Sequence, residues 1–270
     1  MQATESKHQD HVLRGMLAAI AAFFLFSIMA VCAKLLSERH SVIEIAFYRN
    51  LIGTLPFLFL IFVLGKREIL IIKSRPAAVG FRAVLGGFVL GERVGPYRWA
   101  AVFIGFAGVV VMASPAGNLN TLGIAIALTA SLMHAILQVV LRYLGKFESP
   151  ETVTFYFMVI GTLITALPLP FIAVTPTLDE IPLLFGLGLT GAAAQWFLSV
   201  AFRNAPAAVV TVFNYTGIVW AMLFGWMIFN DWPAPLVLLG AAIVIGSNVL
   251  MVWREMRLGK VTGARGRAKF

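Results

Sequence analysis

The sequence is poor in charged residues and in cysteine. Only 12% of its 270 residues are charged, and Cys32 is the single cysteine, whereas about 25% of residues are charged in soluble proteins. One cysteine excludes a disulfide within the chain and a cysteine-based metal centre. Hydrophobic residues make up 60% of the chain and the mean hydropathy is +0.91, which excludes a soluble fold.

Catalytic sequence patterns are also missing. The chain has no P-loop, no His-Glu-x-x-His zinc motif and no paired carboxylates suited to acid–base chemistry. Gly186, Gly188 and Gly191 match a dinucleotide-binding pattern by letters alone, but they lie inside an apolar run, where glycines favour helix packing. We therefore expect no enzyme activity, no catalytic residues, no metal site and no cofactor.

Long apolar runs dominate what remains. A helix of roughly 20 residues crosses the hydrocarbon core of a bilayer, and the runs show no sustained period of two, so helices are expected rather than strands. Runs that are long enough cover residues 15–36, 41–64, 121–141, 152–174, 181–202, 206–229 and 233–253. With an eighth span before residue 115, the sequence predicts an all-α integral membrane bundle.

The two halves of the chain resemble each other. Residues 47–48 and 52–55 are similar in sequence to residues 155–156 and 160–163, which follow them by 108 positions. Residues 87–92 are similar to residues 225–231, which follow them by 138 to 139 positions. The first half is therefore shorter by the difference, 30 residues, where its third and fourth helices would lie. We predict a shortened repeat at 15–115 and a complete one at 121–253, flanked by tails at 1–14 and 254–270.

Basic residues are distributed unevenly between the two sides of these spans. If the N-terminus is cytoplasmic, eight spans place 17 of the 21 basic residues inside and two outside, which is a strong positive-inside bias. The other two, Arg49 and Arg82, lie in apolar stretches. A ninth crossing by residues 76–91 would leave 6 inside and 13 outside. We therefore expect 76–91 to be an interfacial or re-entrant segment and both termini to be cytoplasmic.

These features together resemble a known family. The repeat, the Leu-Gly-Glu that ends at Glu92 and is followed by Pro96, and the segment 203–231 are similar to EamA-type members of the drug/metabolite transporter superfamily. The resemblance implies ten spans in two inverted repeats, with a substrate cavity that opens alternately to each side. The chain departs from the family in its missing helices and in Asn230-Asp231, where Gly-Glu is common.

Polar groups inside the spans are the candidate substrate residues, because they cost about 2.5 to 3.5 kcal/mol on insertion scales. Arg49 lies about 12 Å into its span, where it would bind a carboxylate or phosphate, or else bond backbone carbonyls or a neighbouring helix end and only hold the fold. His134 and Gln138 share one helix face and would bind a zwitterion, couple proton movement, or only join two helices. We expect Lys34 and Arg142 to reach the headgroups without a substrate role.

The last spans combine amides with aromatic rings. Such side chains suit an amphipathic organic substrate, although rings at helical spacing also serve for packing alone. The candidates are Gln195, Trp196, Asn214, Tyr215 and Trp220.

The favoured hypothesis is a secondary transporter in the bacterial inner membrane. Its partners would be the lipid bilayer and a small-molecule substrate, such as an amino acid or derivative, an S-adenosylmethionine-like metabolite or an amphipathic compound. The alternative is a transport-inactive or dimerising membrane protein that arose by loss of a helical pair, which leaves a homodimer open. The six basic residues after Trp253 are expected to fix topology and contact anionic lipid, not nucleic acid.

Overall fold

The computed structural model describes residues 2–72 and 147–257, together with residues 129, 141, 144 and 145. Within that part of the chain all regular structure is helical, as predicted. The α-helices are α1 Gln2–Leu36, α2 Val42–Phe62, α3 Pro150–Ala166, α4 Leu169–Ile172, α5 Ile181–Asn204, α6 Ala207–Phe213, α7 Thr216–Phe229 and α8 Pro235–Arg257. Short 3-10 helices cover Arg67–Leu70 and Leu178–Glu180.

Four segments are long and apolar enough to cross a membrane, namely His11–Leu36, Val42–Phe62, Leu178–Asn204 and Val209–Phe229. Shorter apolar helices cover Pro150–Ala166 and Pro235–Ser247. The predicted segment 76–91 lies outside the described residues. The described part is therefore a membrane helical bundle.

Helix α1 begins before the apolar run. The polar residues 1–14 are the predicted tail outside the first span, and the helix starts within them, at Gln2. Residues 2–14 contain neither proline nor glycine, so nothing in them ends a helix that the apolar run has nucleated. The first span is the apolar part of one long helix.

Two predicted spans are interrupted. The run 152–174 divides into α3 and α4 at Leu167 and Pro168, because proline cannot donate the backbone hydrogen bond that would continue the helix. The run 206–229 divides into α6 and α7 at Asn214 and Tyr215. There the backbone N–H groups reach carbonyls three residues earlier, from Asn214 to Thr211 at 3.2 Å and from Tyr215 to Val212 at 3.2 Å.

Helix α5 is the centre of the described bundle, and α1, α2 and α3 all pack against it. Glycines make the closest contacts. A Cβ at Gly188 would lie 2.5 Å from Ile52 Cβ and 3.1 Å from the backbone nitrogen of Gly53, and one at Gly15 would lie 2.5 Å from Ala205 Cβ. Small residues at such crossings let helix backbones approach closely, which is how membrane helices gain packing energy.

A buried polar cluster ties the α1–α2 turn to the segment before α5. The imidazole of His40 lies 3.4 Å from Glu44 Oε1 and 3.3 Å from Glu180 Oε2, and Arg39 Nη1 lies 3.1 Å from Glu180 Oε1. The backbone N–H of Val174 donates to Glu44 Oε1 at 2.6 Å. The start of α2, the end of α4 and the start of α5 therefore meet at one end of the bundle.

Candidate substrate cavity

A cavity of about 680 Å³ lies between α1, α2, α3, α5 and α7. Each helix contributes a part of the wall, and α1 and α7 contribute most of it. Five phenylalanine rings line the cavity: Phe23, Phe26, Phe157, Phe224 and Phe229. The polar lining consists of Ser27, Lys34, Arg49, Gln195 and Asn214. Mixed aromatic and polar walls of this size suit an organic molecule of metabolite size.

Arg49 was predicted from the sequence as a candidate site residue, and the structure places it in the cavity wall. Its Nε and Nη2 atoms donate to Asn50 Oδ1 at 3.3 and 3.1 Å. Asn50 is only 2% exposed. The alternative expectation was that Arg49 bonds backbone carbonyls or a neighbouring helix end and only holds the fold; among the described residues the hydrogen-bond acceptor of its guanidinium is the Asn50 amide oxygen. The neighbouring amide holds Arg49, and no carboxylate of the described residues lies within ion-pair distance.

Two glycines make room for this pair. A Cβ at Gly161 of α3 would collide with the side-chain amide of Asn50, and a Cβ at Gly191 of α5 would lie 3.1 Å from Arg49 Cγ. The side chains of Arg49 and Asn50 therefore occupy grooves that only glycine leaves open. Packing against α5 positions the aliphatic part of Arg49, and packing against α3 positions Asn50, which accepts hydrogen bonds from the guanidinium.

Lys34 also lines the cavity, although it was expected to have no substrate role. Its Nζ atom lies 3.9 Å from the centre of the Phe229 ring, a cation–π geometry. The side chain is exposed, so it stands at the margin of the cavity. The signal that sequence reasoning missed is the pairing of a lysine near a helix end with a ring at the end of another span.

Adjacent candidates on α5 point in different directions. Gln195 lines the cavity, whereas Trp196 lines a second one of about 450 Å³ between α2, α3 and α5. Trp196 Nε1 donates to Glu151 Oε1 at 3.0 Å. Successive helix residues lie about 100° apart around the axis, so the two side chains serve different surfaces.

The candidate residues around the α6–α7 interruption also differ in whether they line the cavity. Asn214 lines the cavity, while Tyr215 is the N-cap residue that precedes α7 and is not part of the lining. Trp220 packs edge-on against Phe24, with ring centres 5.0 Å apart, and stacks on Phe224. Its buried Nε1 has no hydrogen-bond partner among the described residues. His134 and Gln138 lie outside the described residues.

Small residues on α7 form a smooth side of the cavity that was not predicted from the sequence. Gly217, Ala221 and Gly225 recur every four residues and all three line the cavity. A Cβ at Gly217 would meet no described atom within 4 Å. The four-residue spacing of these small residues is visible in the sequence, and it marks the side of α7 that borders the cavity.

A cavity between apolar helices is typical of membrane transport proteins. The chain matches the EamA-like transporter family over residues 13–90 and 121–253, and it belongs to that family. It is therefore a multi-pass membrane protein of a transporter family, as the resemblance implied.

Three relatives are transporters. The chain is 33% identical over 179 residues to a riboflavin transporter of Rhizobium johnstonii, a match that covers 66% of this chain and 59% of the relative. It is 28% identical over 178 residues to an S-adenosylmethionine uptake transporter of Rickettsia prowazekii, covering 66% and 60%. The pseudopaline exporter CntI of Pseudomonas aeruginosa is 26% identical over 270 residues, which cover 87% of this chain and 95% of the exporter.

These matches differ in extent. The chain spans about 60% of the first two relatives and nearly all of the exporter. A crystal structure with 17% sequence identity superposes with a TM-score of 0.69, covering 90% of this chain and 97% of the other. This likeness concerns the fold alone.

Proposed function

We propose that the chain is a secondary transporter of small organic metabolites that works by alternating access, and that the cavity of about 680 Å³ is its substrate site. The observation that carries the proposal is this cavity, which lies between five helices and combines five rings with an arginine that has no carboxylate partner in the described chain. Ligand pockets of about 300 to 1,000 Å³ enclose metabolite-sized molecules. Because the sequence has no P-loop, the driving force would be a substrate or ion gradient.

The starts of α2 and α3 support two repeats. Ser41 and Ser149, 108 residues apart, both cap a helix by accepting a hydrogen bond from the backbone N–H three residues later. Thr54 and Thr162, also 108 apart, both donate to the carbonyl four residues earlier. The end of α4 lies beside the start of α2, so α2 and α3 run in opposite directions, as inverted repeats would.

The finer topology remains part of the proposal. It consists of a shortened repeat at 15–115, a complete repeat at 121–253, about eight full spans and a segment at 76–91 that does not cross. The charge distribution supports cytoplasmic termini and a bacterial inner membrane location. Reporter fusions after Pro115 and at Phe270, one type active outside and one inside, test this orientation.

The candidate substrates are amino acids and their derivatives, S-adenosylmethionine-like metabolites and amphipathic compounds. The site residues that we propose are the cavity-lining members of the predicted set, Arg49, Gln195 and Asn214. Trp196, Tyr215 and Trp220 are supporting residues under this proposal, because their side chains lie outside the cavity lining.

Transport through the cavity can be tested by filling it. Gly217→Leu would place a bulky side chain at a lining position where an added Cβ meets no described atom within 4 Å, and it is expected to fill part of the cavity. Gly246→Leu in α8 is the matched control, because a Cβ there also meets nothing within 4 Å and the residue does not line the cavity. Uptake of radiolabelled riboflavin, S-adenosylmethionine and tryptophan would be measured in proteoliposomes.

We expect at least one compound to be carried by the unmodified chain and by Gly246→Leu, and its uptake to be lost in Gly217→Leu. Equal uptake by both variants would show that the cavity is not the route. Absence of uptake for all compounds by the unmodified chain would count against transport and favour the transport-inactive alternative.

A further inference from the structure

We propose that the cavity selects amphipathic organic anions, with Arg49 binding their carboxylate or phosphate group and the phenylalanine rings accepting their apolar part. This inference rests on the proposed transport function, and it narrows the substrate to one chemical class. It follows from the charge of the cavity, from the way in which Arg49 is held, and from the composition of the opposite wall.

The cavity is positively charged. Lys34 and Arg49 line it, and none of the described carboxylates does. Of the 12 acidic residues in the chain, the structure describes the side chains of eight, and all eight of these carboxylates lie outside the cavity lining. The apolar surroundings lower the local dielectric constant, so two cations without counter-charges attract an anion more strongly than they would in water.

Arg49 is fixed in place but not neutralised. A guanidinium has five N–H donors, and two of them reach the neutral amide oxygen of Asn50. The other three have no partner among the described residues. An arginine that only stabilised the fold would direct its donors to carbonyls or a carboxylate, whereas this one keeps the fork that bidentate binding of a carboxylate or phosphate requires.

The aliphatic part of the Arg49 side chain is closely packed. A Cβ at Gly191 would lie only 3.1 Å from Arg49 Cγ, so α5 borders this part of the side chain, while Gly161 accommodates Asn50. Because the aliphatic part packs against α5 and two of the donors already bond Asn50, binding of a ligand costs less conformational entropy than at a free arginine side chain. The site is therefore partly preorganised for an anionic group.

Phenylalanine rings supply the apolar part of the cavity lining. Phe23, Phe26, Phe157 and Phe224 line the same cavity as Arg49, and a ligand body that covers them would displace water from apolar surface. Lys34 contributes the second positive charge at the margin, where its ammonium group lies over the Phe229 ring. The complementary ligand has an anionic end and an apolar body.

Charge-selective thiol labelling tests the inference without a known substrate. In a Cys32→Ala background, Ala221→Cys places the single thiol in the cavity wall. The rates of modification by anionic sulfonatoethyl methanethiosulfonate and by cationic trimethylammonium-ethyl methanethiosulfonate are measured in detergent, each relative to free cysteine. We expect the normalised rate ratio to favour the anionic reagent by about tenfold, which corresponds to about 1.4 kcal/mol.

Three variants make the test specific. Arg49→Gln is expected to lower the ratio to near that of free cysteine, Arg49→Lys to keep most of it because the charge remains, and Lys66→Gln to leave it unchanged because this exposed cation lies outside the cavity. Size-exclusion profiles identify any variant that fails to fold, and the ligand pair indole-3-acetate and indole-3-acetamide, measured in the Ala221→Cys chain with Arg49 intact, then carries the test. A ratio that is equal in Arg49→Gln and its parent would overturn the inference.

The same assay separates this inference from the proposed function. Anion-selective labelling in a chain that carries no compound would leave the anion site standing and remove transport. Reaction with neither reagent would mean that water does not reach Ala221, which would overturn both.

A matched ligand pair tests the substrate class directly. Indole-3-acetate and neutral indole-3-acetamide have the same ring, so only the charge differs. We expect the acetate to slow labelling of Ala221→Cys at concentrations about tenfold lower than the amide, and Arg49→Gln to abolish the difference. Equal protection by the pair, or protection by neither compound, would overturn the assignment of amphipathic anions.

Discussion

The crossing of α2 and α5 provides a quantitative test of the fold. In Gly188→Ala the new Cβ would lie 2.5 Å from Ile52 Cβ, whereas unstrained carbon–carbon contacts need roughly 3.5 Å. The helices must therefore separate by about 1 Å. They cannot relieve the clash by a rotamer change, because both atoms are fixed to the backbone. Overpacking of this kind costs about 1 to 3 kcal/mol, and we expect about 2 kcal/mol.

Gly186→Ala is the matched control, two residues away on the same helix. Its Cβ would approach only the thiol of Cys32, at 3.2 Å, and a side chain can turn away. We expect its free energy of unfolding to change by less than about 0.5 kcal/mol.

The measurement is an SDS titration of the purified protein in mixed micelles, followed by far-UV circular dichroism. Gly188→Ala should unfold at a lower SDS fraction than the parent, and Gly186→Ala should not. If the two variants have the same free energy of unfolding, the close approach of α2 and α5 is refuted.

Three further predictions concern single side chains. His40→Ala should lower the free energy of unfolding in the same SDS titration by about 2 kcal/mol, because the buried carboxylate of Glu44 loses its partner. Arg39→Ala, at the exposed edge of that cluster, should leave the free energy of unfolding nearly unchanged. Equal effects of the two variants would contradict the difference in burial between His40 and Arg39. Gln195→Ala should lower proteoliposome uptake about fivefold, whereas Trp196→Phe should not, and a reversed order would contradict the assignment of the two α5 faces. Trp220→Phe should keep the free energy of unfolding within about 1 kcal/mol of the parent, because the loss of buried ring area is offset by removal of the unpaired buried Nε1–H donor. A larger loss of unfolding free energy would mean that Nε1 has a hydrogen-bond partner.

The sequence predicted where the described spans lie but not where they are interrupted. Two prolines illustrate the difficulty. Pro56 lies inside α2, which continues through it, whereas Pro168 separates α3 from α4. Both are visible in the letters, but neighbouring helices decide whether the freed carbonyls find other partners. The interruption at Asn214 and Tyr215 contains neither proline nor glycine, so no local rule anticipates it.

The candidate site was predicted in part for a related reason. Arg49, Gln195 and Asn214 were identified as polar groups in apolar spans, and all three line the cavity. Trp196 and Trp220 were equally plausible, because every side of these helices is apolar and the sequence alone does not indicate which side meets a neighbour. Distances across helices, such as that from Lys34 to Phe229, depend on tertiary packing that no sequence spacing encodes.

The interaction of Glu44 with Val174 has a consequence for how the protein is made. Val174 follows Glu44 by 130 residues, so at about 5 to 20 residues per second the ribosome delivers it on the order of 10 s later. During that interval the polar groups of α2 can form hydrogen bonds only with residues that are close to them in the sequence. The capping box of Ser41 with Glu44 and the hydrogen bonds between Arg49 and Asn50 are such local contacts. They satisfy polar groups of α2 before Val174 has been synthesised.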